Sequence, residues 1–187
     1  MNERIYNYLE ITDLKDMLNK TKKMYSEKPA YKIKIEEGKY QIYTHKEVRD
    51  MVDCLGTALI DIGLKNKRIA IIGENRYEWE IAYLSIVCGT GIVVPLDKSL
   101  PENELETLIE RSDIEAIFYS EKYAKSIEKI RYNEKNKLKH LISMDSTKHR
   151  EGIYSQKELI ENGKKLIQEG NEEFLNAQIN PNEMSIM

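Results

Sequence analysis

The chain has 187 residues, of which 33% are charged and 41% hydrophobic, with a net charge of −3. That length builds one good-sized domain or a domain plus a subdomain. The nearly balanced charge excludes a strongly basic nucleic-acid binder, and the apolar content excludes wholesale disorder.

The first twenty residues scatter Glu3, Arg4, Glu10 and Asp13 among apolar ones, so no signal-peptide core forms there. The longest uncharged window, between Glu80 and Asp97, falls short of the ~20 residues a membrane span needs. The expectation is a soluble, cytoplasmic chain without a transmembrane segment. Residues 13–25 read as a helix with Leu14, Met17, Leu18, Thr21 and Tyr25 on one face. Tyr31, Ile33 and Ile35 alternate with lysines, Glu37-Gly38 signals a turn, and Tyr40 and Ile42 resume the alternation, which predicts a β-hairpin. Thr44 and Glu47 then form a capping box for a helix whose buried stripe is Val48, Met51, Val52, Leu55, Leu59 and Ile62.

The stretch from Arg68 to Asp97 organises the rest. Ile69 to Ile72 is a short β-branched run of the kind found in buried parallel strands. Gly73-Glu74-Asn75 breaks it, and Trp79, Ala82, Tyr83, Ile86 and Val87 recur at helical spacing. Gly89 and Gly91 end that helix, and Ile92 to Val94 form a second strand. One strand-helix-strand unit predicts an α/β fold with a parallel sheet flanked by helices, preceded by the hairpin. Strand order stays open.

Further on, Ser99 and Glu102 read as a second capping box, with Pro101 in the first turn and Leu105, Leu108 and Ile109 facing inward. Ala116 to Phe118 predicts a third strand, 121–133 a polar helix, and Leu138 to Met144 a weaker fourth strand. Residues 145–154 show no apolar period and read as a loop. Ser155 and Glu158 offer a third box for a helix ending at Gly170, and Met184 to Met187 looks like the opening of a strand. The parts divide as a lead-in over 1–45, an α/β core over 46–143, and a loop, helix and strand opening over 144–187.

The chemistry in the sequence is sparse. His45, His140 and His149 share no spacing that makes a metal site or a triad. Gly89-Thr90-Gly91 ends a helix rather than opening one, unlike a dinucleotide loop. Cys54 and Cys88 read as structural thiols. Glu74, Glu78 and Glu80 follow a strand end, where open sheets bind ligands, but acids in a first helical turn also suit the helix dipole. Between Glu121 and His140 basic residues outnumber acidic ones, as on a solvated helix face. The residues themselves assign no catalytic, cofactor-binding or metal-binding group. A stand-alone α/β interaction module stays open as an alternative to an enzyme.

The central stretch resembles the AMP-forming acyl-CoA synthetases, the adenylate-forming superfamily. The matching residues are Gly73-Glu-Asn-Arg76, Glu78-Trp79, Ala82, Leu84, Gly91, Val94-Pro95-Leu96 and Pro101-Glu-Asn-Glu-Leu105. Tyr43-Thr44 before a helix and the Ser155 to Gly163 segment agree with the family's flanks, and the pattern leans toward the long-chain fatty acid branch. The resemblance implies a partial N-terminal domain of that fold. It implies a parent that uses ATP, Mg²⁺, coenzyme A and a fatty acid in two half-reactions, through an acyl-adenylate. It also implies that the phosphate loop, the acidic Mg²⁺ site and the catalytic lysine lie outside these residues, so that the 187 residues alone are inactive. Leu96, Asp97 and Lys98 would sit near the coenzyme A groove. A chain ending at Met187 is expected to expose a sheet edge and to self-associate, as a homodimer, through it.

Overall fold

The computed structural model describes residues 9–150 and 152–187. The first eight positions of the stretch read for a signal segment lie outside these. Helix α1 (Leu14–Tyr25) starts at Asp13, whose carboxylate accepts from the Asp16 N–H at 2.8 Å. It leads into an antiparallel hairpin of β1 (Pro29–Glu36) and β2 (Lys39–Thr44), with Ile33 opposite Gln41. Gly38 takes a positive φ of 74°, the left-handed conformation the tight turn requires. Helix α2 (His45–Asp61) carries the reciprocal capping box expected of Thr44 and Glu47.

Five parallel strands follow: β3 (Arg68–Ile72), β4 (Ile92–Pro95), β5 (Ala116–Tyr119), β6 (His140–Ser143) and β7 (Ile153–Ser155). Their order across the sheet is β4-β3-β5-β6-β7. Helix α3 (Tyr77–Ser85) joins β3 to β4, α4 (Glu102–Arg111) joins β4 to β5, and α5 (Ala124–Ile130) joins β5 to β6. Helices α6 (Gln156–Gln168) and α7 (Glu173–Asn176) complete the chain. Alternate strand residues divide between two cores. Ile69, Ile71, Phe118 and Ile142 pack under α2, α3, α6 and α7, whereas Ala70, Ile72, Ile117 and Leu141 pack under α4 and α5. Both faces are covered, which is why the strands are apolar throughout rather than alternating.

Helix α3 ends in a π-turn over Ile86–Thr90, closed by the Gly91 N–H on the Ile86 carbonyl at 2.9 Å. Gly89 there has φ 144°, and a Cβ on Gly91 would lie 2.2 Å from the Lys67 carbonyl oxygen. These glycines serve close backbone packing. Beyond α7 the chain returns beside β4, where Val93 donates to Ser185 and Met187 donates to the Val93 carbonyl, a parallel bridge of Val93 with Ile186. The strand opening read at Met184–Met187 therefore lies on the β4 edge.

Several expectations are corrected. The stretch read as a loop over 145–154 contains the start of β7, a strand too short to show a period. The Ser99–Glu102 box does not form, because Ser99 Oγ and N both turn to Asp97 Oδ1, at 2.7 and 2.8 Å, and Pro101 is the cap residue of α4. Leu108, expected to face inward, is 38% exposed while Leu105 and Ile109 are buried. The helix expected over 121–133 is a 3-10 turn (Glu121–Tyr123) followed by α5. On α1, Leu14 and Tyr25 are exposed, and Lys15 is buried instead. Lys15 Nζ donates to the Phe174 and Ala177 carbonyls at 2.7 and 2.8 Å, tying α1 to α7. In the third box Ser155 Oγ accepts from the Glu158 N–H, but the Glu158 carboxylate turns to the His149 backbone N–H.

Candidate functional site: the carboxyl edge of the sheet

Because all five strands run the same way, the loops Gly73–Arg76, Leu96–Lys98, Ser120–Glu121 and Met144–Thr147 gather at one edge. The chain leaves β3 toward β4 on one side and later returns to β5 on the other. The switch point between β3 and β5 is where open α/β sheets form their ligand crevice.

Here that crevice is laced shut by the protein's own side chains. Ser120 Oγ donates to Glu74 Oε2 at 2.6 Å. This bond, followed by a backbone hydrogen bond, holds the Glu74 carboxyl below the usual range. Arg76 grips Glu78 with Nε and Nη2, at 2.7 and 2.8 Å, and reaches Asp145 Oδ1 with Nη1 at 2.6 Å. Asp145 Oδ2 accepts from the Glu121 N–H at 2.7 Å. Arg76 and Asp145 together thus link the loops after β3, β5 and β6, the guanidinium using the planar fork geometry that favours carboxylates. The Glu78 bond, then that of Asp145, raises the Arg76 pKa further. With Glu78 and Asp145 on it, the Arg76 charge is balanced within the protein.

Beside this network lies a cleft of about 450 Å³. Tyr43 and Tyr77 form one wall, with ring centroids 4.8 Å apart and hydroxyls 3.2 Å apart. Burial, then the Tyr43 hydrogen bond, raises the Tyr77 hydroxyl pKa. Met51, Ile81, Met144 and the start of α6 also line it, with Glu78, Asp145 and Arg76 at its side. Gln156, only 2% exposed, lines it. Its Nε2 donates to the Glu78 carbonyl at 2.9 Å, while its Oε1 is buried with no partner. A buried amide oxygen without a donor is costly, so it marks a place where one would be welcome. Sequence reasoning missed Gln156. A glutamine one position after a cap serine reads as an ordinary first-turn residue, and only its burial sets it apart.

The other singled-out residues fall as follows. Glu78 and Glu80 stand in the first turn of α3, and burial, then Glu80, raises the Tyr31 hydroxyl pKa. Leu96, Asp97 and Lys98 lie just past β4. The Asp97 carboxylate turns back on Ser99, whose backbone N–H and then hydroxyl lower its pKa, and the Lys98 carbonyl accepts from Tyr123. His140 and His149 come together on Tyr154, at 5.7 and 5.3 Å between ring centroids. His149 Nδ1 accepts from the Ser155 N–H at 2.8 Å, and burial, then Lys139, lowers the His140 pKa. Cys54 and Cys88 are free buried thiols, pushed by burial up to about 11 and about 12. Of the basic stretch, Lys129 pairs with Glu102 at 2.6 Å and Lys137 with Asp113 at 2.7 Å.

Among the described residues no group of three His, Cys, Asp or Glu side chains could hold a metal ion. The crevice carboxylate Glu74 is engaged by Ser120, and Asp145 by Arg76 and Glu121. At the crevice the described residues thus hold Glu74 and Asp145 in contacts of their own. No helix among the described residues is long and apolar enough to cross a membrane.

Comparison with known proteins matches residues 18–185 to the family model of the AMP-binding enzymes. The long-chain-fatty-acid–CoA ligase 1 of Cavia porcellus is 26% identical over 166 residues, covering 86% of this chain and 23% of that protein. Long chain acyl-CoA synthetase 4 of Arabidopsis thaliana is 31% identical over 107 residues, 57% of this chain and 16% of that one. The crystal structure of a long-chain-fatty-acid–CoA ligase (FadD1) from Archaeoglobus fulgidus superposes with a TM-score of 0.69 at 15% identity, covering 84% of this chain and 31% of that chain. The chain thus spans under a quarter of the length of these two curated relatives.

Proposed function

The chain belongs to the AMP-binding enzyme family, and from that premise we propose that it supplies part of an ATP-dependent fatty acid–CoA ligase. The parent reaction joins a fatty acid to AMP with release of pyrophosphate, and coenzyme A then displaces the AMP. The observation that carries this reading is the match of residues 18–185 to the family, on a parallel sheet whose own crevice is closed. In this reading the 187 residues form scaffold. Leu96, Asp97 and Lys98 face the coenzyme A path, the protein works in the cytoplasm, and ATP, Mg²⁺ and the acyl chain are held elsewhere.

Pyrophosphate exchange into ATP, measured on the purified 187-residue chain with a long-chain fatty acid, should stay at background. Exchange above background would overturn the proposed incompleteness. Reading the gene past codon 187 separates ligase from interaction module. A Thr-Ser-Gly-Thr-Thr-Gly-like loop within about a dozen codons supports the first, since such backbone loops cradle phosphates, and a stop codon supports the second.

The same reading extends to association. Met184, Ile186 and Met187 are 61, 51 and 52% exposed on the β4 edge. Such an edge is a template for pairing, and we expect the isolated chain to dimerise through it. Light scattering that gives a monomer mass at ~100 μM, well above a micromolar dissociation constant, would count against this.

A further inference from the structure

We propose that His149 is a proton-operated plug on the open edge of the sheet: neutral, it seals β7, and protonated, it lets β7 go and turns to Glu158. Strand β7 is the outermost of the five, with β6 on one side only. Alternate residues of such a strand turn their amides away from the sheet, and buried amides need acceptors. The chain just before β7 folds back to supply them. The Ile153 N–H donates to the Arg150 carbonyl at 2.8 Å, and the Arg150 N–H returns to the Ile153 carbonyl at 3.0 Å. The Ser155 N–H instead donates to His149 Nδ1 at 2.8 Å, so the imidazole stands where a neighbouring strand's carbonyl would stand.

That one nitrogen has a second partner. Glu158 Oε2, in the first turn of α6, lies 3.2 Å from Nδ1 and accepts from the His149 backbone N–H. The two partners make opposite demands. Ser155 needs a lone pair on Nδ1, which the neutral ring offers when its proton is on Nε2. Glu158 needs a proton there, which the imidazolium has. Protonation therefore breaks the Ser155 bond and makes a charge-assisted one to Glu158, at an atom already within reach. Ser155 is fully buried, so its released N–H has no water to turn to until the edge opens. The Ser155 hydroxyl stays tied, donating to the Ser146 carbonyl at 2.6 Å and accepting from the Glu158 N–H. The change is thus local to the β7 edge, and an uncovered edge is a template for another strand.

The other charged groups nearby are engaged elsewhere. Arg150 is held by Glu128 of α5 at 2.7 Å, and Lys139 reaches Glu115 at 3.7 Å. Tyr154 of β7 meets the His149 ring edge-on, at 5.3 Å between centroids, and His140 of β6 meets Tyr154 at 5.7 Å. Lys148 is the exposed neighbour of His149 in the chain. Among the described residues Glu158 is the acid paired with the His149 ring.

The switch uses none of the crevice residues, so it stands apart from the ligase reading. Hydrogen exchange on the isotope-labelled chain, read amide by amide by NMR between about pH 8 and pH 5, where imidazoles titrate, tests it. Protection is taken relative to the intrinsic exchange rate at each pH. Ser155 should lose roughly tenfold in protection on acidification, the worth of one hydrogen bond. The loss should come in a single step that follows the His149 ring signal and not that of His140. His149→Asn, whose Oδ1 takes the place of Nδ1 and binds no proton, should leave Ser155 protection level across the range. Glu158→Gln should keep the step but move its midpoint down by about one pH unit, because the anion that favours the imidazolium is gone. If the asparagine variant loses its circular dichroism spectrum, the Glu158→Gln shift decides. Level protection of Ser155 in the unaltered chain, a step that follows His140, a step that survives in folded His149→Asn, or a midpoint that Glu158→Gln leaves in place would overturn the proposal.

Discussion

The two faces of the sheet are built differently. Under α4 and α5 the core is small and apolar, made of residues such as Ile109, Ile127 and Leu141, and the outer surface is held by exposed ion pairs such as Lys129–Glu102. Under α2, α3, α6 and α7 the core is larger, and it admits polar groups and bare backbone. Lys15, Arg49, Ser85 and Gln156 are all buried on that side. A Cβ on Gly163 of α6 would lie 1.8 Å from the Cys54 carbonyl oxygen, and one on Gly56 of α2 would lie 2.2 Å from the Phe174 ring. The contrast teaches that covering a sheet needs only a stripe of aliphatic residues. Packing two helices at backbone contact while leaving grooves between them needs small residues at fixed places. The cleft lined by Tyr43, Tyr77 and Gln156 lies on the second face.

Phe174→Ala should break the contrast most. The ring is fully buried against Gly56, and Lys15 sits over it with Nζ 5.1 Å from its centroid. Removing a buried phenyl costs about 4 kcal/mol, so urea unfolding should show a loss of that order. A loss below ~1 kcal/mol would mean that α7 does not seal the core. Gly163→Ala comes next. The new methyl meets backbone, which cannot rotate away, so α6 must move off α2, and overpacking of this kind costs about 2 kcal/mol. Unchanged stability would show that the helices are not locked at that contact.

The smallest effect is a pH slope. Burial raises the folded pKa of Cys88 to about 12 and of Cys54 to about 11, above the ordinary thiol value of 9.0. A raised folded pKa gives stability that is complete below the unfolded value and is lost as pH climbs from there to the folded one. Both thiols lie on the α2 side. Tyr119, on the other face, is raised to about 12 from 10.0 and enters only above the latter value. The unfolding midpoint should therefore fall between about pH 9 and pH 10, with a shallower fall in Cys88→Ala. An identical slope in that variant would remove the thiol from the account.

Much of the architecture was legible in the sequence for local reasons. The β-branched runs at Ile69–Ile72 and Ala116–Phe118, the turn at Gly38 and the Thr44–Glu47 box each encode their element within a few residues. Where the reading failed, a competing partner, near or far, or a missing cover decided. Ser99 left its expected cap for Asp97, Leu108 lost its cover, and β7 exists because β6 lies alongside it. The candidate site was least legible. Arg76 meets Asp145 across 69 positions of sequence, and Gln156 meets Glu78 across 78. By itself the sequence determined the periodicities, caps and turns, because those energies act between near neighbours. Strand order, the burial of Lys15 and Gln156 and the ion pairs across the crevice were decided only by the tertiary structure, because each depends on which surfaces meet after the chain has crossed over the sheet.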